Sequence, residues 1–133
     1  MTRKRLILAR IVFAVYLLAV LVLCFGEFDS TQDVPKYLWG LPTDKIVHFV
    51  MFLPFVFLAY MSFASLPKRR SQAILLALAA LAAGALMAVA TEIGQSLTTY
   101  RSGDAWDFVA DASGLGLAFI CVLVVIIASK RLN

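Results

Sequence analysis

TEIGQSLTTYRSGDAWDFVADASG, residues 91–114, places Glu92, Gln95, Arg101, Asp104, Asp107 and Asp111 between two strongly apolar runs. Those runs cover roughly residues 73–91 and 106–128, and two more precede them at roughly 6–25 and 46–66. Each is close to the ~20 residues that a helix needs to cross ~30 Å of hydrocarbon. The chain has 133 residues, 62% of them hydrophobic and 15% charged. A soluble domain carries about 25% charged residues, so this balance excludes a water-soluble core. The expectation is an all-α membrane protein. It has one domain, 1–133, built as a bundle of four transmembrane helices.

Working outward, charge sorts the connectors into two classes. Arg3, Lys4, Arg5, Arg10, Lys68, Arg69, Arg70, Lys130 and Arg131 cluster at the termini and between spans two and three, with no acid among them. All 8 acids fall on the other side, joined only by Lys36, Lys45 and Arg101. The positive-inside rule then puts both termini and the 67–72 loop in the cytoplasm. The net charge of +4 is thereby explained by topology and lipid headgroups, and no nucleic-acid partner is expected.

The first run follows a basic cap but lacks a small-x-small cleavage site, so it reads as a retained span. Residues 27–43 carry turn formers and Pro35, Gly40 and Pro42, which predict an irregular loop with Tyr37, Leu38 and Trp39 at headgroup level. Thr43 is the expected N-cap of span two, and Pro54 is expected to kink that span. Ala80, Gly84 and Ala88 form a small-residue ridge on span three, and Ala110, Gly114 and Ala118 a matching one on span four. Such ridges let helix backbones approach, so these two spans should pack as a close antiparallel pair. Cys24 and Cys121 lie at different depths, roughly 22 Å apart along the helix axis, too far for a disulfide.

The polar residues fall on helix faces. Glu92 and Gln95 are three apart at the end of span three. Asp104, Asp107 and Asp111 open span four at spacings of three and four, and Asp44 and His48 open span two four apart. Three helices thus bring polar stripes to one level of the bundle. A charge in the bilayer centre costs ~2.5–3.5 kcal/mol, so a convergence of this kind needs mutual pairing or a polar pocket. Pairing would join Arg101 with an Asp, His48 with Asp111, and Lys45 with Glu92. It leaves five carboxylates (Asp44, Glu92, Asp104, Asp107, Asp111) against two cations (Lys45, Arg101), an excess that calls for a raised pKa, a cation or a cationic ligand group. His48, Glu92 and Asp107 are the candidates for general acid and base. No cofactor is assigned. A divalent metal such as Zn²⁺, Mn²⁺ or Ca²⁺ is the alternative that one His with several carboxylates leaves open, although no second His or Cys stands beside it.

Asp44-Lys45-x-x-His48-Phe49, then Glu92-x-x-Gln95, then Arg101, Asp107, Asp111 and Gly114 resembles the VanZ-like family of small bacterial membrane proteins. The resemblance runs from Asp44 through span four, with span one as the family's leading helix. Two positions depart from the pattern. Asp111 stands where the family commonly has Asn, and Tyr100 replaces a small residue. The resemblance implies a cell-envelope role, since the family is named after a protein associated with resistance to the glycopeptide teicoplanin. It transfers no catalytic assignment.

The leading expectation is an envelope protein with an outward-facing polar pocket built from Asp44, Lys45, His48, Glu92, Gln95, Arg101, Asp104, Asp107 and Asp111. The pocket would bind a peptidoglycan precursor or a glycopeptide, with modification of it left open. One alternative is a non-catalytic assembly subunit whose polar cluster only locks helix ends. Another is a metal-dependent membrane hydrolase. Oligomeric state is not legible. A transporter is disfavoured, because apart from Arg10 near one end the inner two-thirds of the spans carry no charge.

Overall fold

The computed structural model describes residues 2–26, 35–98 and 104–129. Backbone polar groups in hydrocarbon must be satisfied within their own segment, so the apolar runs fold as helices. These are α1 (Arg3–Phe25), α2 (Thr43–Phe52), α3 (Phe55–Phe63), α4 (Arg70–Ser96) and α5 (Ala105–Ala128). Taking α2 and α3 together as Thr43–Phe63, four segments are long and apolar enough to cross a membrane. Leu8, Leu18, Leu75, Leu86, Ile120 and Val125 all lie exposed on their flanks. A continuous apolar surface of this kind suits lipid and not water. The chain is a multi-pass membrane protein.

The helices begin before the apolar runs do. The second begins at Thr43 and ends at Phe63, so Asp44, Lys45 and His48 lie inside it. Thr43 is the first helical residue and not the cap. Its hydroxyl donates to the Pro35 carbonyl and its N–H to Lys36 O, fastening the preceding loop. That loop is more regular than its composition suggests. Tyr37–Leu38 (β1) pairs antiparallel with Leu41–Pro42 (β2) across a two-residue turn. Both turn residues take positive φ, Trp39 at 51° and Gly40 at 79°, the requirement of a tight type I′ hairpin. Trp39 projects from its tip, 89% exposed.

Pro54 divides the second span, as expected, because proline has no N–H to continue the helix. The Tyr16 hydroxyl of α1 donates to the Met51 carbonyl beside the break at 2.6 Å. The core forms around this kink. Phe52, Phe55 and Val56 are buried in one core with Leu115 and Ile126 of α5 and the alanine face of α4. At the opposite end of the bundle, Arg10 donates through Nε to the Ser62 carbonyl at 3.2 Å and lies over the Phe63 ring. Cys24 is buried and Cys121 exposed, and no disulfide joins them.

The two small-residue ridges do different jobs. α4 and α5 pack together, as expected. At Gly84 of α4, however, an added Cβ would meet side chains, at 2.5 Å from Leu115 and 2.9 Å from Phe55. At Gly114 of α5 it would meet backbone, 2.4 Å from the Phe49 carbonyl oxygen and 3.2 Å from Leu53 N. Gly114 therefore admits the α2 backbone and not that of α4. This close approach sets α2 against α5, and Asp111 lies one turn before Gly114.

Candidate functional site

Three helix ends converge at the acidic end of the bundle, and Asp104 ties them together. It caps α5, its Oδ1 accepting from the Trp106 N–H at 3.0 Å. Its own N–H donates to Glu92 Oε2 on α4 at 3.1 Å. Its Oδ2 accepts from Lys45 Nζ on α2 at 2.7 Å. The Lys45 ammonium, and then the Trp106 N–H, hold the Asp104 carboxyl below its ordinary range. Lys45 also donates to Asp107 Oδ1 at 2.6 Å and to Asp44 Oδ2 at 3.3 Å. One ammonium thus engages three carboxylates and uses all of its donors.

A second set lies deeper. His48 Nδ1 and Asp111 Oδ1 are 2.9 Å apart, and the Asp111 side chain is 0% exposed. Glu92 Oε1 approaches the same nitrogen to 4.0 Å, with its side chain 13% exposed. The other ring nitrogen, Nε2, faces Asp107 Oδ2 at 3.7 Å. Asp107 therefore joins the two sets, one oxygen on Lys45 and the other toward His48. Among the described residues, the buried oxygens Glu92 Oε1 and Asp111 Oδ2 find no hydrogen-bond donor. Buried polar atoms in native proteins are overwhelmingly paired, so two orphans in one cluster stand out.

Most of the residues expected at the site meet there: Lys45, His48, Glu92, Asp104, Asp107 and Asp111. The anticipated pairing of His48 with Asp111 is present. That of Lys45 with Glu92 is replaced by Lys45 with Asp104 and Asp107, because the α5 cap lies nearer the Lys45 ammonium. Asp44 sits at the rim, 59% exposed, with Lys45 as its ion-pair partner. Gln95 turns away from the cluster. It is buried and donates to the Cys24 carbonyl of α1 at 3.0 Å, holding α1 against α4. Arg101 and Tyr100 lie outside the described residues.

An open groove of about 380 Å³ runs between α4 and α5, lined by Val89, Glu92, Ile93, Ser96, Asp104, Ala105 and Phe108. Glu92 belongs to both groove and cluster, with one oxygen toward Asp104 and the other toward His48. The apolar lining residues gave no signal in the sequence. They read as ordinary lipid-facing positions until the helices are placed side by side. Chemically, an imidazole paired with a buried carboxylate, as in His48–Asp111, is an arrangement that can hold or move a proton. His48, Glu92 and Asp111 also offer ligand atoms that all lie within 4.8 Å of one another.

A family model described as VanZ/LLP1 matches residues 11–127. No curated protein and no solved structure matches the chain.

Proposed function

The chain belongs to the VanZ-like family, and from that premise we propose that it is a cell-envelope protein whose polar site binds a surface component. The component is an amphiphile such as a peptidoglycan precursor or a glycopeptide antibiotic. In this reading the chain sits in the bacterial inner membrane with its basic end in the cytoplasm. The segregation of basic residues from all 8 acids supports that orientation. The site then opens at the outer surface.

The groove carries the reading. It sets apolar Val89, Ile93 and Phe108 beside Glu92 and Asp104, so a tail and a polar head can be held together. Ligand pockets commonly combine an apolar lining with a few placed polar groups. Glu92 connects the head position to the buried His48. The carboxylates suit an amine on the ligand. Arg101, which lies between α4 and α5 in sequence, carries the planar fork that matches a carboxylate or phosphate. Modification of the ligand would draw on His48, Glu92 and Asp107 for proton transfer.

The test is binding of teicoplanin and of a lipid-linked peptidoglycan precursor to the purified protein in nanodiscs. Wild type is expected to bind one of them, and Glu92→Gln and Arg101→Ala to lose that binding while unfolding like wild type. Binding of neither probe by wild type, or unchanged binding in both variants, sinks the reading. The Lys45 clamp supports the second reading, an assembly subunit whose charges only lock helix ends. On that reading the same substitutions lower stability in detergent and change nothing else.

A further inference from the structure

We infer that His48, Glu92 and Asp111 form a binding site for one divalent transition-metal ion of the Zn²⁺ or Mn²⁺ class. The inference stands on the cluster's own geometry and holds whether or not a surface component binds above it. Each ligand comes from a different helix: His48 from α2, Glu92 from α4, Asp111 from α5. Three protein ligands in a buried end of the bundle leave a coordination position open, the pattern of metal sites that also receive an exogenous ligand.

Four observations converge. The first is reach: one candidate ligand atom from each residue lies within 4.8 Å of the other two. The second is the pair of orphaned oxygens. Glu92 Oε1 and Asp111 Oδ2 are buried without a hydrogen-bond donor among the described residues, and Asp111 is wholly buried. The proton shared between His48 Nδ1 and Asp111 Oδ1 is held in that contact, so it cannot serve them as well. A dication takes the place of that proton and satisfies both carboxylates at once.

The third observation is the surrounding shell. A metal-ligating histidine commonly presents its second ring nitrogen to a carboxylate, which fixes the ring and its tautomer. Nε2 of His48 faces Asp107 Oδ2 at 3.7 Å, and Asp107 is itself pinned by Lys45 at 2.6 Å. The 3.7 Å separation is too long for a hydrogen bond, so Asp107 acts on the ring through charge. The fourth is charge. Lys45 meets Asp44, Asp104 and Asp107, so it is not available to Glu92 or Asp111. The donor set of one nitrogen with two carboxylates suits a borderline ion. Ca²⁺ prefers six to eight oxygens, more than this cluster supplies.

The experiment is metal binding by the purified chain in detergent. The protein is stripped with chelator and dialysed against Zn²⁺, Mn²⁺, Ca²⁺ or Mg²⁺ separately. Bound metal is counted by elemental analysis, and the unfolding midpoint is recorded for each. One Zn²⁺ or Mn²⁺ per chain is expected, with a rise in midpoint and release of protons on binding. Glu92→Gln and His48→Ala should bind none, and Asp107→Asn should bind ~10–100-fold more weakly. Glu92→Gln keeps side-chain shape, so its result does not depend on a folding defect. Substoichiometric binding by wild type, or stoichiometric binding that survives Glu92→Gln, overturns the inference. So does a response to Ca²⁺ and Mg²⁺ equal to that for Zn²⁺. Loss of the metal with retained binding of teicoplanin or precursor would remove this inference alone. Metal binding without either probe would remove only the functional reading.

Discussion

The polar end of the bundle is two networks, joined through Asp107 and through the Asp104 N–H on Glu92, that differ in how far their oxygens are satisfied. In the upper one, Lys45 lies among Asp44, Asp104 and Asp107, partly exposed, and all of its donors are used. In the lower one, His48 and Asp111 are buried and Glu92 is half-buried, and two buried carboxylate oxygens have no donor among the described residues. The upper network looks complete as a clamp on three helix ends. The lower one is incomplete, and burial makes that incompleteness costly. Among the described residues the clamp leaves no buried carboxylate oxygen without a donor, whereas a site keeps some unsatisfied for a ligand. The difference divides structure from function within a few ångströms.

The sharpest way to break the comparison is to remove one member of each network. Asp111→Ala strips His48 of its buried partner and should cost about 3–5 kcal/mol in unfolding stability, as for a broken buried pair. Asp111→Asn keeps an acceptor for the ring N–H and should cost much less. Next comes the close approach beneath both networks. Gly114→Ala drives a Cβ into the Phe49 carbonyl and should cost about 1–3 kcal/mol, moving α2 from α5. Gly116, with nothing within 4 Å of an added Cβ, is the control, and Gly116→Ala should be neutral or mildly stabilising. Equal effects at the two glycines would disprove the α2–α5 contact.

Smaller again is Lys45→Ala, expected to cost about 1 kcal/mol because its pairs are partly exposed and screened. Its effect should shrink in high salt, whereas that of Asp111→Ala should not. The smallest effect is in pH. The folded state holds the Asp104 carboxyl below the ordinary value of 3.8, so the unfolded chain takes up that proton first. Its contribution is fully present above that value and is lost as pH falls through the depressed folded value. The stability gap between wild type and Asp104→Asn should therefore close on acidification, measured as midpoints in detergent.

Much of this was legible in the sequence for a definite reason. Hydrophobic run length reports lipid exposure directly, so four spans followed from composition. Helical spacing put Glu92, Asp107, Asp111 and His48 on convergent faces, and the pairing of His48 with Asp111 followed from it. Three features were not legible. Gln95 shares a stripe with Glu92, but periodicity does not say which neighbour a face meets, and it meets α1. Gly114 was matched to the ridge on α4, because small residues announce a close contact without naming the partner. The Trp39–Gly40 hairpin turn depends on positive φ at both residues, which tryptophan rarely adopts.

The central claim is that the lower network is a site and not a lock, and Glu92→Gln tests it most directly. Glutamine preserves shape and keeps an acceptor for the Asp104 N–H, while removing the charge that lacks a donor. The decisive measurement is the unfolding midpoint of this variant against wild type, in detergent with chelator present. The account predicts a midpoint equal to or above wild type, since sites hold their charges at a cost in stability. A midpoint clearly below wild type would mean that the Glu92 charge braces the fold, and the lower network would then be a clamp like the upper one.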